Sequence, residues 1–526
     1  MTAEWWATDL LSVAHRKSNA LTAAAHSHKT RATGRQSRVR GAGSRSGGAK
    51  GGLVAGQTRA EVSAAGGPTP AASEENYGLH HGVLGPLETL AQSVSAMAPS
   101  TSPSLTIPLV FALAANATWF VYLLATGATL LVGFCVSRFA RLSASPGSLY
   151  TYAADTLPPV FGVIAAWALL LAYVTTGASV AGGALYYAGV LAQQFFHWTP
   201  PALLILAVVC SVAGSIAYRD VKLSAELMLW IEVVSVSLIL IVLAVLLFRF
   251  GLHFDLDQFR LKGVTVSSLG PALVLAMFSF VGFESATTLG NEAREPLKTI
   301  PRAVLQCAIL AGVFFMLCSY SEVLGFRGES SQLSDSTSPL HLLANKAGIS
   351  PLGVAIDFGA AVSMFACVLA CTTAAARVLL RMAHARLLPA ALERTSTKHG
   401  TPGAAVVLSA GLMFAVTAAL AVSGVSGSEM YDWVGSLSVF GFLTAYALVA
   451  AALPFARRAL GQHSHWVAAV SGLTVVVMVL IVIFDLRSAT DAIHARIPWI
   501  YLGYIGAGLV WYWVRRGKAE GIETRE

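Results

Sequence analysis

The sequence predicts an all-α polytopic membrane protein with about twelve transmembrane helices, and three observations predict it. Hydrophobic residues make up 55% of the 526-residue chain and charged residues 12%, about half the roughly 25% charge of a typical soluble domain. The mean hydropathy is +0.66. Apolar runs long enough to cross a bilayer follow one another through the last four-fifths of the chain, and Lys and Arg concentrate in every second loop between them. A soluble fold of this size could not cover its surface with so few charges. Ordinary cytosolic enzymes, disulfide-rich secreted domains and disordered proteins are therefore excluded.

The chain opens with a segment that is not a span. Residues 1–60 hold ten Lys/Arg against Glu4 and Asp9, are rich in Ala, Gly, Ser and Arg, and contain no apolar run. This composition predicts a disordered basic tail over 1–80. It lacks the apolar core of a signal peptide, and a solvated cytoplasmic tail fits it better than a transit peptide or a nucleic-acid-binding arm. No nucleic-acid partner is expected.

A spanning helix needs about 20 apolar residues. Such runs lie at about 86–114, 117–138, 158–194, 200–217, 224–249, 268–290, 301–325, 352–380, 402–424, 430–454, 465–485 and 498–514. The third and eighth are long enough to tilt strongly or to project into the cytoplasm. The transmembrane domain is thus expected over 84–515, and 516–526 form a short C-terminal tail. Both tails and the loops after spans 2, 4, 6, 8 and 10 carry 28 of the 35 Lys/Arg, and the other loops carry seven. That split puts both termini in the cytoplasm of a cell-membrane protein.

Two of the twelve runs are flawed as helices. The first contains Ser95-Ala-Met-Ala-Pro-Ser-Thr-Ser-Pro103, where Pro99 and Pro103 each remove a backbone donor and the hydroxyls compete for backbone groups. The sixth contains Phe278-Ser-Phe-Val-Gly-Phe-Glu-Ser285, with Gly282 weakening the helix and Glu284 a charge at membrane depth. Spans one and six occupy corresponding places in two five-span halves. Interrupted spans in corresponding places point to the binding site of a secondary transporter, because irregular backbone at membrane depth persists only where protein, water or substrate can bond it.

The stretch Phe278 to Ala303 resembles the sixth-helix signature of the amino acid–polyamine–organocation permeases: Phe-x-Gly-Phe-Glu, then an acidic residue and a Pro, then Ile-Pro-x-Ala. Ser145-Pro-Gly-Ser-Leu-Tyr150 is similar to the family's entry to helix three, and Arg377 to Pro389 followed by Thr401-Pro402 to its loop between helices eight and nine. The resemblance spans about residues 84 to 455. It implies the leucine-transporter fold, with discontinuous helices 1 and 6, inverted repeats at about 84–250 and 265–455, and peripheral helices at about 465–515. The chain departs from the pattern in having Pro and Ser where many members open helix one with a Gly-rich break, and in having Glu226 and Glu232 but no Lys within helix five.

The expected substrate-binding residues are those of the two breaks: Ser95, Ala96, Met97, Ala98, Ser100, Thr101, Phe278, Phe280, Val281, Gly282 and Phe283. Helices three, eight and ten are the expected walls. Glu284 and Phe278 are expected to gate or couple transport, since a mid-helix carboxylate costs about 2.5–3.5 kcal/mol to insert and persists where it faces a cavity or a partner. By position Phe278 resembles the family's aromatic gate on helix six. Thr372 and Thr373 resemble in place the hydroxyls that hold sodium in some relatives, although hydroxyls in membrane helices more often bond back to backbone. Glu226 and Glu232, six residues apart, lie on different faces, and Asp357 is expected to snorkel to water. The six cysteines all lie in apolar runs, so no disulfide is expected. Cys367 and Cys371 share a helix face without His or acidic neighbours, so no metal site is expected there.

The functional expectation is a secondary active transporter of amino acids or related small organic cations, working by alternating access. Its partners are a small-molecule substrate and the lipid bilayer. No cofactor is expected, and the coupling ion stays open between proton and sodium. An enzyme would need a convergent nucleophile or metal set that the spans lack. The alternative is a nutrient sensor on the same fold, signalling through the N-terminal tail.

Overall fold

The computed structural model describes residues 77–249, 255–262, 264, 266–329, 332–488 and 492–523. The basic tail expected over 1–80, and the sensing role tied to it, therefore lie outside the described residues except at 77–80. The described chain is helical throughout; a parallel bridge between Leu84 and Ala293 is its β-type pairing.

The first crossing consists of α1 (Pro86–Met97), a π-helical turn (Ser102–Thr106) and α2 (Ile107–Ala114). At Ala115 the backbone turns to φ +45°, Thr118 Oγ1 donates to the Ala115 carbonyl at 2.7 Å, and the chain reverses into α3 (Thr118–Ala140). The helical run Pro86–Ala140 thus contains 55 residues. At 1.5 Å per residue that is ~80 Å, two crossings of a ~30 Å hydrocarbon core with a reversal between them. The short α4 (Ser148–Ala154) leads into α5 (Pro159–Phe196), followed by α6 (Ala202–Arg219) and α7 (Val221–Arg249). The second half starts after the one-turn α8 (Leu256–Phe259) with α9 (Val266–Phe278). It continues with α10 (Pro296–Gly325), the short α11 (Pro339–Lys346), α12 (Ser350–His384), α13 (Gly403–Val422) and α14 (Gly427–Ala459). Two further helices, α15 (His465–Ser488) and α16 (Ile497–Glu523), complete the domain. The backbone is helical well into the expected C-terminal tail.

Among the described residues ten helices are long and apolar enough to cross a membrane; the 55-residue run Pro86–Ala140 holds the first two expected crossings, and the shorter Ser268–Phe278 stands at the sixth. The sixth differs most: its helix stops at Phe278, and a turn and a 3₁₀ segment (Ser285–Leu289) carry the chain on. The short helices α4, α8 and α11 lie in loops and carry too few residues for a hydropathy signal.

Helices α5 and α12 run through the centre with most of their residues buried, and both pack on each other. α14 lies along α5, and Gly441 shows why it can: a Cβ there would stand 2.5 Å from the Ala168 carbonyl oxygen. Small residues let spans approach where lipid offers no hydrophobic gain for association. α6, α7, α13, α15 and α16 form the rim and expose large apolar side chains such as Leu204, Trp230, Val407, Val476 and Trp499, as a lipid-facing surface requires.

Of Glu226, Glu232 and Asp357, it is Asp357 that departs from expectation. Asp357 does not reach water. It is 1% exposed, accepts from the Ser338 hydroxyl, and pairs with His341 Nδ1 at 2.6 Å. The unforeseen α11 folds over this end of α12 and supplies the histidine. Glu226 is exposed and pairs with Lys222, whereas Glu232 is buried and accepts from the Ser363 hydroxyl at 3.0 Å on both oxygens. The six cysteines are free and buried.

Candidate functional site

The break in the first crossing follows from Pro99. A continuing helix would bond the residue-99 nitrogen to the Ser95 carbonyl, and proline has no proton to give. Ala98 takes that carbonyl instead at 3.0 Å, entering the left-handed region at φ +47°, and Thr101 N closes the turn on Ala98 O at 2.8 Å. Pro103 sits at the start of the π-helical turn, where its missing donor costs nothing. The second break centres on Gly282, at φ +90°. A Cβ there would lie 2.8 Å from the Ala96 carbonyl oxygen, so glycine is needed both for the backbone angle and for contact between the two breaks.

Side chains stitch the breaks together. Ser285 Oγ donates to Gln92 O at 2.9 Å, Ser93 Oγ accepts from Ala286 N at 3.0 Å, and Gln92 Nε2 reaches Ala370 O of α12 at 2.9 Å. The Cys367 thiol on α12 lies 3.2 Å from Ala96 O, a carbonyl that the ending of α1 frees.

Two small cavities flank this junction, each about 10 Å³, of the order of one water molecule. The inner one is lined by both breaks (Ala96, Met97, Thr101, Ser102, Phe278, Ser279, Val281), by Thr176 and Val180 of α5, by Cys367 of α12 and by Tyr431 of α14. Phe278 and Tyr431 separate it from the outer cavity, meeting edge to face at 5.3 Å between centroids. Tyr431 is held there by Thr106 at 2.7 Å through its hydroxyl and by Ser179 at 2.5 Å through its carbonyl. Among the described residues no charged side chain lines the inner cavity.

On the face carrying most of the loop Lys and Arg, the junction is closed by an ion pair. Glu292, just past the sixth-span break, accepts from Arg377 of α12 through both oxygens at 2.6 Å, and the two side chains are 0% and 1% exposed. Arg377 Nη1 also donates to the Thr373 carbonyl at 2.9 Å. The chain before α1 joins the same closure: Leu84 N donates to Glu292 O at 2.9 Å and Arg294 N to Leu84 O at 2.8 Å. Ser148 and Thr287 hydroxyls are bonded beside it.

Of the sequence-derived candidates, Ala96, Met97, Thr101, Phe278 and Val281 line the inner cavity. Ser95, Ala98, Ser100 and Gly282 form the breaks without lining it. Phe280 is packed against Tyr122 and Phe315, and Phe283 against Tyr446; both lie in the turn beyond the end of α9 at Phe278 and do not line the cavity. Glu284 is fully buried below the cavity, where its two oxygens accept from Tyr173 of α5 at 2.9 Å and Tyr446 of α14 at 2.5 Å. Thr372 bonds back to Val368 O at 2.7 Å, while the buried Thr373 hydroxyl has no hydrogen-bond partner among the described residues. Ser102, Ser279, Thr176, Val180, Cys367 and Tyr431 were not foreseen as lining residues. Ser102 and Ser279 lie in the breaks themselves, and the other four come from spans apolar on every face, so no periodicity marks the side that meets the breaks.

The role of the first break is open to a direct test. Pro99→Ala with Pro103→Ala restores two donors, lets α1 continue, and removes the freed carbonyls from the cavity. Each proline opposes helix by ~3 kcal/mol, so uptake of a transported substrate is expected to fall by at least about tenfold at normal membrane level. Unchanged uptake kinetics would show the break to be a packing kink.

Comparison with known proteins agrees with this geometry. The sequence model of the family described as amino acid permease matches residues 84–510. An uncharacterized transporter of Mycobacterium tuberculosis is 28% identical over 62% of this chain and 72% of its own. The branched-chain amino acid permease BcaP of Bacillus subtilis is 24% identical over 64% and 73%. Among solved structures, a mutant of the Eremococcus coleocola manganese transporter superposes with a TM-score of 0.52 at 14% identity, covering 85% of this chain and 96% of that one. That likeness concerns the fold alone.

Proposed function

The chain belongs to the amino acid permease family, a family of transporters and not of enzymes, and from that premise we propose that it is a secondary active permease moving amino acids or small amines by alternating access. The observation that carries this reading is the contact between two broken spans beside a closed cavity walled by α5, α12 and α14. The C-terminal end of α1 offers carbonyls such as Ala96 O to an ammonium group, and the start of the π-helical turn offers amide protons to a carboxylate. An uncharged lining suits a ligand whose own charges are met by backbone. A cavity of about 10 Å³ is far smaller than any amino acid, so this is a closed conformation. Loading requires the spans that carry the breaks to move against α5, α12 and α14, with Phe278–Tyr431 opening on one face and Glu292–Arg377 on the other.

Reconstitution into liposomes and uptake or counterflow of labelled amino acids and amines tests the proposal. Saturable uptake of at least one of them is expected; no uptake and no exchange across the panel would overturn it. We read both termini as cytoplasmic and the membrane as the cell membrane, a reading that the charge split supports. A reporter fused after Glu526 is expected inside and a tag at Gly328–Ser338 outside, and finding either on the opposite face would reverse the orientation.

A further inference from the structure

Glu322 lies in the last turn of α10, a helix that packs beside both breaks, and is 0% exposed. Neither carboxyl oxygen has a hydrogen-bond partner among the described residues, unlike Glu284 with two tyrosines, Glu232 with Ser363 and Glu292 with Arg377. Of the cations at that end of the molecule, Arg249 in the last turn of α7 lies against Gly348, and Lys346, Arg327 and His341 are paired with other groups. Lys346 of α11 is 2.7 Å from Glu329 and donates to the Gly325 carbonyl, Arg327 pairs with Asp255 at 3.0 Å, and His341 pairs with Asp357. The titratable neighbours of Glu322 are Cys318, one turn earlier on α10, and Tyr122 of α3. The residues of α1 and of the π-helical turn that pack on α10 bring no titratable side chain to that end, and Glu226 and Glu232 of α7 are bonded to Lys222 and Ser363. The Tyr122 hydroxyl is bonded at 3.1 Å to Ser279, and Ser279 lines the inner cavity. The Tyr122 ring also packs on Phe315, 5.8 Å between centroids, two turns before Glu322 on the same face of α10, so Tyr122 stands between that face and Ser279 beside Phe280.

An unpaired carboxylate in such a place is not sustained; the group takes up a proton instead. Hard metal cations need several converging oxygens, which Tyr122 and Cys318 do not supply. We propose that Glu322 is the proton-binding site of the transport cycle, neutral in this closed conformation and releasing its proton when movement of the broken spans lets water reach it along the Ser279–Tyr122 line. One proton is bound and one released per cycle, with no other bond made or broken. Because the closed conformation binds that proton and the hydrated one does not, acid on the loading side favours closure.

The proposal rests on the permease reading, and the test separates the two. Wild-type and Glu322→Gln protein are reconstituted into liposomes and titrated by infrared difference spectroscopy. A protonated-carboxyl carbonyl band is expected in the wild type and absent from the variant; an identical band in the variant overturns the proposal. With a transported substrate in hand, a gradient of one pH unit is expected to drive up to about tenfold accumulation by the wild type but only equilibration by Glu322→Gln, which still exchanges substrate for substrate. Accumulation by the variant with the wild-type pH profile overturns the assignment. No transport by either protein, with the band lost in the variant, sinks the permease reading and leaves the proton site standing. The variant's melting temperature is expected to equal or exceed that of the wild type, since no hydrogen bond is lost; a clear fall marks a structural carboxylate and overturns the proposal.

Discussion

Arg377→Met is expected to melt far below the wild type and to abolish transport. Arg377 and Glu292 are 1% and 0% exposed and joined through two 2.6 Å bonds. Removing one partner of such a pair strands a buried charge, at a cost of about 3–5 kcal/mol, and here also takes a second donor from the Thr373 carbonyl. Arg377→Lys fails for a geometric reason: an ammonium group cannot reproduce the bidentate fork. The double replacement Arg377→Met with Glu292→Met separates stability from function. An apolar pair of similar volume often restores or exceeds the stability of a buried ion pair, so the double variant is expected to regain much of the lost melting temperature. It is not expected to regain transport, because the pair fastens α12 to the segment Glu292–Arg294, which also holds Leu84 through two backbone bonds. Thermal unfolding in detergent and liposome uptake measure the two quantities. A single variant that melts with the wild type would show that the pair closes nothing, and full transport by the double variant would show that its charge is dispensable.

The parts of this fold that were legible in the sequence are those that the bilayer dictates locally. A span must bring about 20 apolar residues and satisfy its own backbone, so each crossing announces itself, and Pro99, Gly282 and Glu284 stand out because they break that rule. What the sequence left dark depends on contacts between distant spans. Glu292 and Arg377 both lie in stretches that resemble the permease family, yet their pairing joins positions 85 residues apart, which no local pattern encodes. Phe278, Phe280 and Phe283 looked equivalent. The end of α9 at Phe278 and the course of the turn beyond it decide that Phe278 meets Tyr431 while the other two pack on Tyr122, Phe315 and Tyr446. Asp357 looked like a residue near water because α11, eight residues in a loop, gives no periodic signal.

Glu284→Ala is expected to cost several kcal/mol and to stop transport, whereas Glu284→Gln is expected to fold and to transport at least about tenfold more slowly. The carboxyl accepts from Tyr173 on α5 and Tyr446 on α14, and the two rings are themselves braced by Phe442 and Phe283. Alanine leaves two buried hydroxyls without an acceptor, at about 1–3 kcal/mol each. Glutamine keeps the shape, but its amide offers one acceptor oxygen where the carboxyl offers two, so one tyrosine must turn and accept instead. A hydrogen bond is worth about 0.5–1.5 kcal/mol, and reversing one of the two weakens the hold of the sixth-span break on both walls. We read Glu284 as this latch: it fixes the break in the closed conformation and has to release for the cavity to open. A weaker latch populates the open form, so Cys367, which lines the closed cavity, is expected to react faster with a thiol reagent in Glu284→Gln, read by mass spectrometry of the labelled peptide. Tyr446→Phe removes one of the same bonds from the other side and is expected to accelerate labelling in the same direction. Wild-type transport, melting temperature and Cys367 labelling in Glu284→Gln would rule the latch out.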